Sequence, residues 1–343
     1  MAEAPKMFVP DGLVEQLTER VGSAAAGWAP EASVRAIEPL TGGASSLTFT
    51  ISFDGAPAGY EKVVLKVAPP GIPATTNRDI LRQAIVMKAL TGRPGVKVPE
   101  VLFGDEGTDV DTPPILAMNL VAGECYEPML DTERHPENFA EYRARAIDLA
   151  TMLANMHALK VEEIGLANEP VVPIEAEIDR WTRAYDTCPE IFQHNYKEVA
   201  ARLHATKPPA VRPVVNHGDW RLGNMLCSDG KINAIIDWEI WSVGDPRVDL
   251  TWMTFFAQDT HHSMIRNRET SGMPMGQELI DAYVAAGGED FPDMAWFKAL
   301  TNYKEAAATS LILKRFLKRG EPMPGNPEEE FKKLLDDAME LLG

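Results

Sequence analysis

Val215-Asn216-His217-Gly218-Asp219-Trp220-Arg221-Leu222-Gly223-Asn224-Met225-Leu226, followed by Ile235-Ile236-Asp237-Trp238-Glu239, is the most informative stretch of this 343-residue sequence. Asn224 lies five positions after Asp219, and Asp237 thirteen after Asn224. Between them Asp229-Gly230-Lys231 marks a tight turn, flanked by the short strand candidates Met225-Leu226 and Ile232 to Ile236. A hairpin of that size can bring Asn224 and Asp237 side by side. An amide oxygen and a carboxylate then make a hard oxygen site suited to Mg²⁺ bound to phosphates. Asp219, on the preceding loop, is placed to orient an acceptor hydroxyl and receive its proton. Phosphoryl transfer needs that arrangement, because its catalysis is mainly positioning and charge neutralisation. An isolated Asp or Asn carries no such message; the ordered set does.

The chain before this stretch reads as two regions. Asp11 to Val21 has helical spacing, with Leu13, Leu17 and Val21 on one side. Val34 to Pro39, Leu47 to Phe53 and Lys62 to Val67 are strand candidates, and Gly42-Gly43-Ala44-Ser45-Ser46 turns between the first two. A helix over Arg78 to Leu90 and two further strands, Val98 to Phe103 and Ile115 to Leu120, complete a mostly antiparallel sheet. After Gly123 the pattern changes to helices, predicted over 138–159, 174–185, 196–203, 275–285, 295–318 and 327–342, with a loop-and-strand region at 214–250. The expected architecture is α+β: a small sheet lobe over 1–120 and a larger helical lobe over 121–343, with a ligand held between them.

Composition narrows the function. Acidic residues outnumber basic ones, 51 to 33, for a formal net charge of −18. That surface disfavours nucleic acid and anionic membranes as partners, while a local basic pocket still suits an anion. Cys125, Cys188 and Cys227 are far apart and odd in number, which supports neither a disulfide framework nor a cysteine-rich metal site. No basic start followed by an apolar run opens the chain, and no run of about 18 apolar residues occurs, so the expected location is cytoplasmic. Adjacent His261-His262 lacks the spacing of a zinc motif.

The ordered set His217-Gly218-Asp219, Asn224 and Ile236-Asp237-Trp238-Glu239 resembles the aminoglycoside phosphotransferase-like family, phosphotransferases with the protein-kinase-like fold, over roughly residues 30 to 320. Its Ile-Asp-Trp-Glu form, followed by Gly244-Asp245-Pro246, is most similar to the branch also found fused to acyl-CoA dehydrogenases. The resemblance implies an ATP-using or GTP-using kinase for a small-molecule hydroxyl, with Asp219 catalytic and Asn224 and Asp237 holding Mg²⁺. His217 would brace the catalytic loop. Gly42, Gly43, Ser45 and Ser46 would form the turn over the nucleotide, where missing side chains let backbone N–H groups approach phosphate oxygens. Lys66, in the middle of an apolar strand, would contact those phosphates. Met118 and Leu120 would bracket the inter-lobe connection whose backbone meets the purine. The family's helix glutamate, partner of the lysine, is replaced here by Gln83, with Asp79 one turn earlier as an alternative source of charge. Ser46 stands where many relatives carry asparagine. Gln83 keeps open a non-catalytic nucleotide-binding regulator as a second reading. The acceptor is not named by these residues: an aminoglycoside, another antibiotic and a hydroxyacyl metabolite all fit them.

Overall fold

Burial alternates along Lys62–Val67, with Val63, Leu65 and Val67 buried, and a period of two belongs to an extended chain with one dry face. The computed structural model, which describes residues 9–40, 46–131, 133–260, 271–322 and 327–343, makes this segment the central strand of a sheet. A helix, α1 (Leu13–Ala25), precedes strands β1 (Ser33–Pro39), β2 (Leu47–Asp54) and β3 (Lys62–Val67). Helix α2 (Ile80–Leu90) leads to β4 (Val101–Asp105) and β5 (Ile115–Asn119). The five strands form one antiparallel sheet in the order β1-β2-β3-β5-β4. Phe49, Ile51, Val63, Leu65 and Val67 are fully buried in one core with Leu17 and Val21 of α1. Each such side chain contributes roughly 1.5–3 kcal/mol by leaving water. The turn after β2 passes so near Glu31 that a Cβ at Gly55 would lie 2.3 Å from its carbonyl oxygen, and φ there is 74°. Only glycine meets both conditions without strain.

The chain divides into two compact units. The first holds the residues up to Glu124 together with Asn233–Trp241; the second holds Cys125–Ile232 and Ser242–Gly343. A linear division at 120/121 gives Asn233–Trp241 to the later part, whereas these nine residues pack into the first unit. Arg82 of α2 explains why. Its guanidinium lies 4.0 Å from the centre of the Trp241 ring and donates to the Trp241 carbonyl at 2.8 Å. The Trp241 indole N–H donates back to the Arg82 carbonyl at 3.0 Å. Further along, the Ile235 amide donates to the Lys97 carbonyl at 2.8 Å.

In the second unit, helices α3 (Phe139–Ala158), α4 (Ile174–Asp186) and α5 (Tyr196–Ala205) are followed by short strand β6 (Val214–Asn216). After it come β7 (Met225–Ser228) and β8 (Lys231–Ile235), which runs out of this unit into the first, and then β9 (Ser242–Gly244), antiparallel to β6. Helices α6 (Arg247–Phe255), α7 (Gly276–Ala285), α8 (Met294–Arg319) and α9 (Pro327–Leu342) complete it. Helix α6 corrects the loop-and-strand reading of 214–250, since the chain turns helical at Arg247. Of its nine residues only Val248 is not buried, so no amphipathic stripe announces it in the sequence.

Candidate active site

Strand pleating points Lys66 away from the β-sheet core occupied by Leu65 and Val67, and its ammonium donates to Gln83 Oε1 on α2 at 2.8 Å. Asp237 Oδ1 stands 3.8 Å from the same nitrogen. Lys66 therefore meets a carboxylate after all, supplied by the Asn233–Trp241 segment rather than by α2. Asp79 is used otherwise. It caps α2, its Oδ1 accepting the Arg82 amide at 2.9 Å, which satisfies one of the helix's orphan N–H groups. Asp237 adopts a left-handed backbone with φ 66°, a conformation that Asp tolerates better than most residues. Ser46, at the entry to β2, is buried. Met118 lies inside β5, paired with Val64 on one side and Val101 on the other, while Leu120, just beyond the strand, is exposed. Gly42, Gly43 and Ser45 lie outside the described residues, as do His261 and His262.

The second group lies in the second unit, on the loop between β6 and β7. Asp249 of α6, fully buried, accepts the amides of His217 at 2.6 Å and Gly218 at 2.8 Å. Burial raises its carboxyl despite those bonds and the nearby His217. Asp245 grips the Arg247 guanidinium with both oxygens, at 2.9 and 2.7 Å, and so fixes the start of α6. His217, wholly buried, accepts the Asp219 amide on Nδ1 at 3.2 Å. It thereby braces the loop.

Asp219 itself is held on both oxygens. Oδ1 accepts the Trp252 indole N–H at 2.6 Å and the Arg221 Nε at 3.2 Å; Oδ2 accepts Asn224 Nδ2 at 2.7 Å. Burial pushes this carboxyl up, but Arg221, Lys304 and His217, with the Asn224 bond, outweigh it and hold it below the usual carboxylate range. Asn224 Nδ2 also donates to the Asp219 carbonyl at 2.8 Å. Its amide nitrogen is thus committed to Asp219.

Three partners of this loop, Lys304, Glu127 and Trp252, are not legible from motif spacing, and Arg221 within it adds a contact of its own. Lys304 of α8, buried, donates to the Gly218 carbonyl, and its ammonium lies 3.8 Å from the centre of the Trp252 ring. Glu127, also buried, accepts the Gly223 amide at 3.1 Å on Oε2, while its Oε1 is buried with no hydrogen-bond partner among the described residues. Burial pushes the Glu127 carboxyl up to about 7. Arg221 folds back over Gly223, so that a Cβ there would meet Arg221 Nη1 at 1.9 Å. Trp252 completes the set. A faint signal for Lys304 exists in the sequence: Lys304-Glu305 stands between Tyr303 and the three alanines Ala306-Ala307-Ala308 on α8.

Mg²⁺ is tested here on donor chemistry. Asn224 offers an amide oxygen in the second unit, and Asp237 a half-exposed carboxylate in the first. Both are hard oxygen donors, and Mg²⁺ bound to nucleotide commonly takes only one or two protein ligands of that kind. Among the described residues no group of three or more His, Cys, Asp or Glu side chains is arranged to hold a metal by itself. Taken singly, each residue offers the kind of oxygen that such a metal accepts.

The sequence profile of the phosphotransferase enzyme family matches residues 36–300. The chain belongs to that family. The enzymes grouped in that family are phosphotransferases. Acyl-CoA dehydrogenase family member 11 of Pongo abelii is 25% identical over 271 residues, covering 76% of this chain and 34% of its own. The chain spans about a third of the length of such curated relatives. Among solved structures, a Ralstonia eutropha JMP134 protein described provisionally as an aminoglycoside phosphotransferase superposes with a TM-score of 0.71. It is 20% identical, with 95% of this chain and 97% of the other covered. A mutant aminoglycoside phosphotransferase bound to AMP-PNP and hygromycin B gives 0.58 at 13% identity, over 97% and 98% of the two chains. These likenesses show the protein-kinase-like two-lobed fold of the phosphotransferase family.

Proposed function

We propose that this phosphotransferase moves the γ-phosphate of ATP, or GTP, to a hydroxyl of a small molecule, with Asp219 as the base. The observation that carries the reading is the state of Asp219: both oxygens are oriented by neighbouring donors, and the surrounding cations keep it ionised. The first unit is the nucleotide-binding lobe. There Lys66, steadied by Gln83, meets the phosphates, with Ser46 and the glycine turn of Gly42, Gly43 and Ser45 beside them. Leu120, with backbone beyond the end of β5, contacts the purine together with Met118. The second unit is the catalytic and acceptor lobe.

Asn224 through Oδ1 and Asp237 through its carboxylate would hold Mg²⁺, which neutralises charge on the phosphates when bound. Asp219 accepts a hydrogen bond from the acceptor hydroxyl and aligns its oxygen with the γ-phosphorus. The new P–O bond forms as the bond to the β,γ-bridging oxygen breaks. The hydroxyl proton passes to the Asp219 carboxylate, and the nucleoside diphosphate leaves. A second aminoglycoside-type feature, a pocket for a polycation, is not needed for this chemistry, and a hydroxylated metabolite fits it equally well.

The test is a panel of hydroxylated metabolites and antibiotics with labelled ATP and Mg²⁺, read by mass spectrometry for phosphorylated product. Asp219→Ala is expected to keep nucleotide binding and to lower transfer at least 10²-fold, the range of a lost general base. Wild-type turnover in that variant would remove Asp219 from the role. Nucleotide binding with no transfer to any compound would favour the regulatory reading that Gln83 suggests.

A further inference from the structure

We propose that Lys304 is a positioning residue for Asp219, acting on its backbone through the Gly218 carbonyl and on its carboxylate through the Trp252 indole. The inference rests on the reading of Asp219 as the base.

Gly218 has φ 88°, and a glycine in that region leaves the peptide plane that follows it easy to rotate. That plane carries the Asp219 amide. It is fixed at both edges: the carbonyl oxygen accepts from the Lys304 ammonium, and the amide donates to His217 Nδ1 at 3.2 Å. The same ammonium lies against the Trp252 face, 3.8 Å from the ring centre, and that ring's N–H donates to Asp219 Oδ1 at 2.6 Å. One cation on α8 thus constrains both ends of the Asp219 residue, main chain and side chain, without touching the carboxylate.

A purely structural account of Lys304 is poor. The residue is 5% exposed, and among the described residues no carboxylate stands within ion-pair distance of its nitrogen. Its second aromatic neighbour, Trp181 of α4, is 5.8 Å from the ammonium and directs its own N–H to Glu177. Glu177, Asp219 and Asp249 favour its charge from beyond ion-pair distance, yet burial outweighs them. An ammonium whose close neighbours are a carbonyl and two ring faces is costly, and an apolar side chain of similar length would fill the space more cheaply. What methionine could not do is hold the Gly218 carbonyl and dock the Trp252 ring together. Misplacing a catalytic group by about 1 Å is enough to slow a reaction by about 10²-fold.

The decisive measurement pairs kinetics with amide hydrogen exchange. Lys304→Met, in the full chain, is expected to lower kcat for turnover of labelled ATP by about 10- to 100-fold. KM for ATP should stay within about twofold, and amides of residues 217–224 should exchange at least tenfold faster. Trp252→Phe, which keeps the ring and removes the N–H, should lower kcat about tenfold with KM again unchanged. A folded Lys304→Met with wild-type kcat, or with KM for ATP rising as kcat falls, overturns the proposal. If that variant does not fold, wild-type kcat in Trp252→Phe overturns it instead. Should the wild-type protein turn over no ATP at all, the reading of Asp219 fails by itself. Loop exchange then still decides whether Lys304 positions the Gly218 peptide: unchanged exchange in Lys304→Met refutes it.

Discussion

His157 shows how far burial can move a single group. The ring, on α3, is buried against α7, with Nδ1 3.1 Å from the Tyr283 hydroxyl and Nε2 without a hydrogen-bond partner among the described residues. Burial, reinforced by Arg212, lowers it to about 3 from an ordinary 6.5. Below pH ~6.5 the unfolded chain therefore takes up a proton that the folded one refuses, so the His157 contribution is present above that pH and is lost as pH falls towards 3. Glu127 and Glu305, both pushed up to about 7 by burial, act with the opposite sign, binding protons in the folded state between about pH 4.5 and 7. Overall acid stability mixes these signs, and the difference between wild type and His157→Asn isolates one of them. Urea unfolding from pH 7 to 4 should show the wild type losing stability relative to the variant by up to ~1.4 kcal/mol per pH unit below ~6.5. A constant difference across that range would remove the buried neutral histidine from the account.

The loop from His217 to Asn224 is the element on which most of the chemistry converges. Its tethers come from Glu127, from Asp249 and Trp252 on α6, and from Lys304 on α8. Gly223 tests the loop as an element. A Cβ there meets the far end of Arg221, a flexible side chain, so Gly223→Ala should change unfolding free energy by less than about 1 kcal/mol. Arg221 would have to swing off Gly223 and away from Asp219 Oδ1, and transfer should fall about tenfold or more. Loss of fold and activity in parallel would contradict this separation. Motif spacing made the donors within the loop legible, Asp219 and Asn224 above all, because the chain itself sets their distance. The tethers were illegible for the opposite reason. Lys304 is 86 positions from Gly218 and Glu127 is 96 from Gly223, and only tertiary packing brings such residues together. Asp237 stands out in the motif, yet its approach to Lys66 does not, since it depends on where Trp241 docks on α2.

At the scale of the molecule, the sheet and most helices follow from periodicity, whereas the membership of the first unit does not. Strands β1, β2, β3 and β5 lie close to where the sequence places them, whereas β4 begins at Val101 rather than Val98 and runs on to Asp105. Asn233–Trp241 reads as a continuation of the later half, since nothing local marks its return to the sheet unit. A fragment ending at Glu124 therefore lacks the Trp241 ring against Arg82 and the Asp237 carboxylate beside Lys66, although Lys66 keeps Gln83. Such a fragment, purified alone, should show no cooperative thermal transition, and adding a peptide of residues 233–241 should stabilise it measurably. A fragment of 1–124 that melts as sharply as the whole chain would show these contacts to be dispensable.

The return of Asn233–Trp241 to the first unit also sets a timetable for synthesis. Strands β1 to β5 leave the ribosome about a hundred residues before the segment that finishes their unit. At roughly 5–20 residues per second, the nascent sheet then waits about 5 to 20 seconds with the outer face of α2 uncovered. Synonymous codon changes that slow translation between residues 125 and 232 would lengthen that wait and leave every amino acid unchanged.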